Sequence, residues 1–345
     1  MKTIKNIYKT LTREKVREII LKATKHKTHR KEVIEVLDNL ELYTDNIYYM
    51  LQHKTYYLKK TRKRTFIEKK GKERELTISP FYPNRILDYI ITETLKPYIK
   101  KSMYPLCIGN VDKRGIVYGM KIIRRKYKKY KYFVKLDIKK FYPSTSSTKL
   151  MEFIKTKVKD RDFIELCETI VLSQPDMPIG DYYSQWFSNW FLQDLDYNVK
   201  QKQKIEFYAR YVDDMLLMSN NKRKLLCAMY NISKILSAKG LCLKRIEQIS
   251  QVSFRPIDFL GFRFTKTNVK LRLRIFKTLN KKIKSIRKSH HICVSIAQSL
   301  MSYLGWLKQL RDGFKYYLNR IKETITFTKL SSIISNRSTT LCLNN

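Results

Sequence analysis

Two adjacent carboxylates, Asp213 and Asp214, stand between two short apolar segments that have the composition of β-strands. Neighbouring negative charges repel each other, and burial raises the free energy of both. A divalent cation offsets this repulsion directly, and Mg²⁺ prefers oxygen ligands of this kind. The pattern therefore indicates a metal site at a tight turn, although an acidic turn without a metal would use the same residues.

A third carboxylate, Asp137, ends residues 132–137, the most strand-like stretch of the chain. A strand that ends in Asp, beside a turn that carries Asp213 and Asp214, would form a compact trio. Two metal ions held by such a trio can activate a hydroxyl group and stabilise a leaving pyrophosphate. These three carboxylates are therefore the predicted catalytic residues.

The elements that must position these carboxylates follow from hydrophobic periodicity and from turn residues. The predicted helices cover residues 11–53, 84–100, 150–173, 183–197 and 223–239, with basic helix from about 275 onward. The predicted strands cover residues 56–76 with a turn at Gly71, then 132–137, 207–210, 215–218 and 257–264. Strands interleaved with helices predict an α+β fold with a helical tail.

Charge narrows the class of partner. The 345 residues include 72 Lys and Arg against 30 Asp and Glu, a formal charge of +42. Because such an imbalance opposes compactness, it indicates a polyanionic partner, with nucleic acid ahead of a membrane surface. No apolar stretch long enough for a membrane span, and no apolar N-terminal signal, is present. We expect no membrane association.

The six cysteines are scattered without a CxxC pair, which favours reduced thiols and a cytoplasmic location. His290 and His291 lie near Cys293, but a fourth ligand at zinc spacing is missing. An exposed polar loop is the favoured interpretation of these residues.

Three segments resemble motifs of the reverse transcriptase family, in the family's order and intervals. They are Tyr211-Val212-Asp213-Asp214, Lys135-Leu136-Asp137-Ile138-Lys139-Lys140-Phe141-Tyr142 and Asp258-Phe259-Leu260-Gly261-Phe262. The resemblance runs from about residue 55 to 310. It implies an RNA-directed DNA polymerase shaped like a right hand, with fingers, a palm of antiparallel sheet plus helices, and a helical thumb.

The resemblance also implies a division of the chain and roles for single residues. Residues 1–54 would be a basic helical extension, 55–270 the fingers and palm (palm motifs 132–142, 178–197, 207–218 and 240–264), and 271–345 the thumb and tail. The implied metal ligands, for two Mg²⁺ ions that Mn²⁺ can replace, are Asp137, Ile138, Asp213 and Asp214. The implied nucleotide-binding residues are Lys72, Arg74, Tyr142, Ile179, Gly180 and Gln185. Lys244 is the candidate general acid, and Leu260 and Gly261 form the primer grip.

One motif indicates a subgroup. Most reverse transcriptases carry Gln-Gly followed by Ser-Pro beneath the new base pair, whereas this chain has Ile179-Gly180 followed by Ser184-Gln185. That pattern, together with residues 302–308, resembles enzymes of diversity-generating retroelements. Those bacterial or phage-encoded enzymes copy a template-repeat RNA and misincorporate at adenines. A glutamine at this position can form hydrogen bonds with the nascent base pair, whereas isoleucine can only make van der Waals contacts with it. A site with isoleucine therefore has one hydrogen-bonding group fewer with which to discriminate between bases.

The implied partners are a template RNA, a DNA or RNA primer, the RNA–DNA duplex and dNTPs. A small basic accessory protein, often a pentamer, is implied by the subgroup. Retron enzymes carry an Asn-Ala…His element and a Val-Thr-Gly triplet, and this chain has neither. The alternatives are a defence-associated or intron-like reverse transcriptase of ordinary fidelity, and a catalytically silent RNA-binding relative.

Overall fold

A computed structural model describes residues 3–67, 71, 73–244, 248–289, 291–310, 319, 321–322, 326–335 and 340–342. Its α-helices are α1 Arg13–Thr24, α2 Lys31–Asp38, α3 Leu40–His53, α4 Ile86–Ser102, α5 Ile116–Lys126, α6 Phe141–Ser144, α7 Ser147–Lys157, α8 Arg161–Val171, α9 Tyr182–Phe191, α10 Gln193–Tyr197, α11 Lys222–Ala238, α12 Leu273–Ser289, α13 Val294–Leu307 and α14 Phe327–Ser335. Its strands are β1 Arg62–Ile67, β2 Glu73–Ile78, β3 Tyr132–Asp137, β4 Phe207–Tyr211, β5 Asp214–Ser219, β6 Ser250–Gln251, β7 Ile257–Phe259, β8 Phe262–Phe264, β9 Val269–Leu271, β10 His291–Cys293 and β11 Thr340–Cys342.

The strands form one four-stranded sheet in the order β4-β5-β3-β6, one three-stranded sheet in the order β7-β8-β9, and the two-stranded sheets β1-β2 and β10-β11. The pairs β1–β2, β3–β6, β7–β8, β8–β9 and β10–β11 are antiparallel. This mixture of separate helices and antiparallel pairs confirms the predicted α+β class.

The chain divides into two compact units, each made of three segments. The first comprises Met1–Asp112, Lys135–Met215 and Leu226–Glu247. The second comprises Lys113–Val134, Leu216–Leu225 and Gln248–Asn345. Because the three carboxylates Asp137, Asp213 and Asp214 all fall in the first unit, their surroundings can be described within it. The three-part division of the chain into extension, fingers with palm, and thumb stays a prediction.

Buried apolar side chains and long-range hydrogen bonds fix the helices of the first unit. The N-terminus of α9 is capped by Asp88 of α4, whose buried carboxylate accepts the backbone N–H groups of Tyr182 and Tyr183, both at 2.7 Å. Such a carboxylate satisfies N–H groups that have no partner within their own helix. The N-terminus of α9, which follows Gly180, is therefore held in place by α4, a helix distant in sequence.

The predicted single helix over residues 150–173 is wrong, because the chain breaks between α7 and α8. Ile4 inserts beside this break: its N–H donates to the carbonyl of Lys157 at 2.9 Å, and its carbonyl accepts from Lys159 at 2.8 Å. Asp160 then caps α8 by accepting from the N–H of Phe163 at 3.1 Å. The extended backbone of residues 158–160 is thus fixed by a partner more than 150 residues earlier.

Two further differences lie in the second unit. Helix α5 was not predicted, and the stretch expected to be continuous basic helix from about 275 is interrupted by the short strand β10, which pairs with β11. The strand expectation for residues 56–76 is confirmed in outline by β1 and β2. Gly71 of the first unit lies between these two strands with φ +72°, which glycine adopts without strain.

Candidate active site

The turn between β4 and β5 consists of Val212 and Asp213, and Asp214 opens β5. Val212 has φ +57°, a backbone region that is rare for a β-branched residue. The end of β3 lies next to this turn, because the N–H of Ile138 donates to the carbonyl of Asp213 at 3.3 Å. On its other side, the carbonyl of Asp137 accepts from the N–H of Lys244 at 2.8 Å. The backbone therefore brings Asp137 and Asp213 together.

Lysine ammonium groups accompany two of the carboxylates. Lys244 Nζ lies 3.3 Å from Asp137 Oδ2, and Lys135 Nζ lies 3.3 Å from Asp214 Oδ1. Asp137 and Asp213 line one cavity of about 880 Å³ within the first unit, and Asp214 is not among its lining residues. Consecutive residues at the start of a strand face opposite sides. The side chain of Asp214 accordingly pairs with Lys135 on the neighbouring strand.

The donors that face the cavity have the chemistry that a magnesium site requires. They are the carboxylates of Asp137 and Asp213 and the peptide of Ile138, all in the lining, and oxygen atoms are the ligands that Mg²⁺ prefers. Within the part of the chain that the structure describes, no group of three or more His, Cys, Asp or Glu side chains has the geometry to hold a metal ion. The metal-binding role of the trio therefore stays a prediction.

Three of the predicted nucleotide-binding residues line the same cavity, namely Arg74, Tyr142 and Ile179. Arg74 lies on β2, and Lys72 is outside the described residues. Tyr142 lies on α6, and its side chain is partly buried. Burial raises the pKa of Tyr142, so its hydroxyl stays neutral at physiological pH. A neutral phenol group thus lines the same cavity as the two carboxylates.

The remaining two predicted nucleotide-binding residues differ in their settings. Gly180 has φ +126°, and a Cβ atom added to it would lie 2.7 Å from the carbonyl oxygen of Thr77. The adjoining carbonyl of Ile179 accepts from the N–H of Thr77 at 2.9 Å. Gln185 is exposed on α9 and is absent from the cavity lining. The structure therefore joins Ile179 and Gly180 to β2, and it leaves Gln185 outside the cavity.

The primer-grip residues Leu260 and Gly261 form the two-residue turn between β7 and β8 in the second unit. Both have positive φ, +52° and +81°, as a tight hairpin turn requires. The ring of Trp306 on α13 lies against Gly261 so closely that a Cβ atom would overlap it. This packing explains the need for glycine, and the primer-binding role stays a prediction.

The sequence analysis did not identify the buried side chains that contact the turn between β4 and β5. Arg210 and Asp196 are both fully buried and form an ion pair, with Arg210 NH2 lying 2.6 Å from Asp196 Oδ2. Asn189 of α9 donates to the carbonyl of Gly109 at 2.7 Å. The available signal was an arginine inside an otherwise apolar strand, because a buried charge requires a partner.

The family model described as reverse transcriptase (RNA-dependent DNA polymerase) matches residues 58–264, more than half of the chain. The chain belongs to the reverse transcriptase family. This membership confirms the right-hand fold class of the family, and it is the basis for proposing an RNA-directed DNA polymerase. No helix in the described residues of this reverse transcriptase is long and apolar enough to cross a membrane.

Two curated relatives of this reverse transcriptase come from Escherichia coli. It is 26% identical to Retron Ec73 reverse transcriptase over 214 residues, which are 56% of this chain and 66% of that protein. It is 21% identical to Retron Ec86 reverse transcriptase over 244 residues, which are 70% of this chain and 73% of that protein. The chain thus spans 66% of the length of the first relative.

Among solved structures, the reverse transcriptase is similar to telomerases of two yeasts. A Candida albicans telomerase bound to a fragment of telomeric RNA gives a TM-score of 0.45 at 14% identity, with 86% of this chain and 64% of that chain covered. An apo Candida tropicalis telomerase gives 0.45 at 14% identity, with 83% and 70% covered. These likenesses are too distant to support a statement about the site.

Proposed function

We propose that this reverse transcriptase copies a template-repeat RNA into adenine-mutagenised cDNA, as the enzymes of diversity-generating retroelements do. One observation carries the proposal: Ile179 lines the same cavity as Asp137 and Asp213. The position that holds glutamine in most of the family is thus occupied by an apolar side chain within the space where the new base pair would form. The general activity rests on family membership, and the mutagenic role rests on Ile179.

The carboxylates of Asp137 and Asp213, with the carbonyl of Ile138, would hold two Mg²⁺ ions, and Asp214 would support them through the same turn. When bound, these ions would lower the pKa of the primer 3′-hydroxyl and stabilise charge on the leaving pyrophosphate. Lys244 already carries its ammonium 3.3 Å from Asp137. We assign it the task of delivering a proton to the pyrophosphate leaving group, because Lys244 lines the same cavity as Asp137 and Asp213.

The incoming deoxynucleotide would be held by side chains on three elements. Arg74 on β2 presents a guanidinium group, which suits bidentate contact with a triphosphate. Tyr142 on α6 would exclude a ribose 2′-hydroxyl by its bulk. Both side chains line the cavity that contains the carboxylates, so substrate selection and chemistry would occur in one space.

Ile179 would limit fidelity because it offers no hydrogen bond to the nascent pair. Its position is fixed by backbone contacts: Thr77 donates to its carbonyl at 2.9 Å, and Arg85 NH1 donates to the carbonyl of Gly180 at 2.8 Å. A residue held in this way can test the shape of a base pair without testing its hydrogen-bonding pattern. Misincorporation should therefore rise where shape alone discriminates poorly.

The second candidate function is reverse transcription of ordinary fidelity, in a retron-like, defence-associated or intron-like system. The observation that favours it is the similarity to Retron Ec73 and Retron Ec86 reverse transcriptases. Under this alternative, Ile179 would be a packing residue without influence on errors. Template RNA, primer and dNTPs would be the same classes of partner, and the small accessory protein would be absent.

The deciding experiment is cDNA synthesis on a defined RNA template with Mg²⁺, followed by sequencing of the products. Asp213→Ala should abolish synthesis, whereas Asp162→Ala, which changes an exposed carboxylate paired with Lys54, should retain it. Errors concentrated at template adenines, and reduced in Ile179→Gln, are the expected result. Accurate copying would replace the mutagenic proposal with the second candidate. Absence of synthesis by the unaltered enzyme, with native RNA and accessory protein supplied, would leave an RNA-binding relative.

A further inference from the structure

Arg210 is the last residue but one of β4 and lies just before the Tyr211–Asp214 motif. Its side chain is fully buried, as is that of its partner Asp196 on α10. The pair is bidentate: Arg210 Nε lies 2.7 Å from Asp196 Oδ1, and NH2 lies 2.6 Å from Oδ2. A buried pair of this kind gains little net stability over apolar residues of the same volume. Its presence therefore calls for an account beyond stability.

The guanidinium group has donors left after it has bound Asp196. NH1 donates to the carbonyl of Val212 at 2.9 Å and to Asn189 Oδ1 at 3.0 Å. NH2 also donates to the backbone carbonyl of Asn189 at 3.1 Å. One planar, rigid group thus ties the turn between β4 and β5 to helices α9 and α10.

Val212 is the strained residue of that turn, with φ +57°. A left-handed conformation costs an L-residue with a Cβ atom about 1–2 kcal/mol, so the surroundings must hold it there. Gly109 also packs against Val212: a Cβ atom on Gly109 would be 2.6 Å from Val212 Cγ2 and 2.9 Å from Val212 N. Asn189 fixes Gly109 in turn, through its hydrogen bond to the Gly109 carbonyl.

We propose that Arg210 is a positioning residue that directs Asp213 into the cavity by holding the carbonyl of Val212, while Val212 packs closely against Gly109. The carbonyl carbon of Val212 is bonded to the nitrogen of Asp213. The orientation of that peptide therefore sets the direction in which the Asp213 side chain leaves the backbone. This inference rests on the proposed polymerase function, because it concerns a carboxylate that would bind metal ions.

Arg210→Lys tests the inference from one side. Lysine keeps a positive charge for Asp196 but lacks the second planar donor that reaches Val212. We expect kcat to fall about 100-fold, as a misplacement of about 1 Å can cause, while the affinity for primer–template is unchanged. Mn²⁺ binding, followed by electron paramagnetic resonance without substrate, should weaken about tenfold, since it depends on Asp213 and not on turnover.

Tyr208→Phe is the matched control. Tyr208 is buried on the same strand, and its hydroxyl donates to Asp196 Oδ1 at 2.7 Å. Its hydroxyl belongs to the same buried network but donates to Asp196 and not to the carbonyl of Val212. The variant should lower the melting temperature and leave kcat and Mn²⁺ affinity as they were. A purely structural role for the network predicts the same behaviour for Arg210→Lys.

Gly109→Ala tests the inference from the other side and decides it if Arg210→Lys does not fold. The added methyl group displaces Val212 while the Arg210–Asp196 pair remains intact. Loss of kcat and of Mn²⁺ affinity in the folded variant is the expected result. Normal kcat and Mn²⁺ binding in Gly109→Ala, with an active unaltered enzyme, would overturn the inference alone. An unaltered enzyme that makes no cDNA would overturn the polymerase proposal together with it.

Discussion

Replacement of Gly180 by alanine should displace Ile179, which lines the cavity beside Asp137 and Asp213. Gly180 has φ +126°, and a Cβ atom would lie 2.7 Å from the carbonyl oxygen of Thr77. That oxygen belongs to β2 backbone, and the N–H of Thr77 donates to Ile179 at 2.9 Å. Because both ends of the contact are backbone, no flexible side chain can move aside to admit the methyl group.

The cost of this change has two parts. A side chain at such a φ costs about 1–3 kcal/mol, and the overlap with Thr77 costs about 1–3 kcal/mol more. The segment can relieve the overlap by moving away, but it would then lose the Thr77–Ile179 hydrogen bond, worth about 1 kcal/mol. We therefore expect a loss of about 2–4 kcal/mol in the free energy of unfolding, with a displaced Ile179. A displaced Ile179 should raise KM for dNTPs about tenfold.

Two other glycines separate these contributions. Gly71→Ala keeps the positive φ, +72°, with no atom within 4 Å of the new Cβ, so it should cost only the strain, about 1 kcal/mol. Gly305→Ala lies within α13 with open space around the new Cβ, and it should stabilise the protein by about 0.5–1 kcal/mol. Urea unfolding gives the three energies, and single-nucleotide incorporation gives KM. Gly180→Ala would refute this reasoning if it cost no more than Gly71→Ala and left KM unchanged.

Three further outcomes are expected. Tyr142→Ala should reduce discrimination against ribonucleotides by about 100-fold or more, measured as the ratio of kcat/KM for dNTP and NTP, and an unchanged ratio would remove the proposed gate. Burial raises the pKa of Asp88 to about 7 from its ordinary 3.8, so the folded state binds this proton more tightly than the unfolded chain. The contribution of Asp88 to stability is thus present at low pH and lost as pH rises through about 7. We therefore expect the free energy of unfolding of the wild type, minus that of Asp88→Asn, to fall between pH 5 and 8 when both are measured by urea unfolding. A difference that stays constant over this range would exclude this titration. With a formal charge of +42, RNA affinity should fall steeply with salt, with a slope in log–log form of several units; a slope near zero in a filter-binding titration would contradict phosphate contacts.

Local pattern was sufficient to bring Asp137 and Asp213 together. Each lies at the boundary of a strand whose alternation is readable from sequence, and adjacent strand ends meet at one edge of a sheet. The ion pair between Asp214 and Lys135 could not be predicted from the sequence, because it depends on which face of β5 carries Asp214. Gln185 shows the limit for helices: Ser184 and Ser188, four residues apart, share the buried face of α9. Gln185, one residue after Ser184, lies about 100° further around the helix and is exposed.

Contacts distant in sequence account for what local pattern missed. The break between α7 and α8 depends on Ile4, whose backbone pairs with residues on both sides of Val158. The hydrophobic periodicity of residues 150–173 contains no information about Ile4, so it predicted one continuous helix. The cap of α9 by Asp88 has the same origin, because the carboxylate and the N–H groups it accepts are more than 90 residues apart.

The turn that carries Asp213 combines both kinds of information. Its sequence, an aromatic residue, a β-branched residue and two aspartates, marks where the carboxylates are, but Val212 would leave its left-handed conformation if it were free to do so. Arg210, Gly109 and Asn189 prevent this, and they belong to three segments up to about 100 residues apart. A peptide that contained only β4, the turn and β5 would therefore keep the motif and lose the direction of Asp213. We therefore expect metal affinity to depend on Arg210, Gly109 and Asn189 as well as on the carboxylates of the motif.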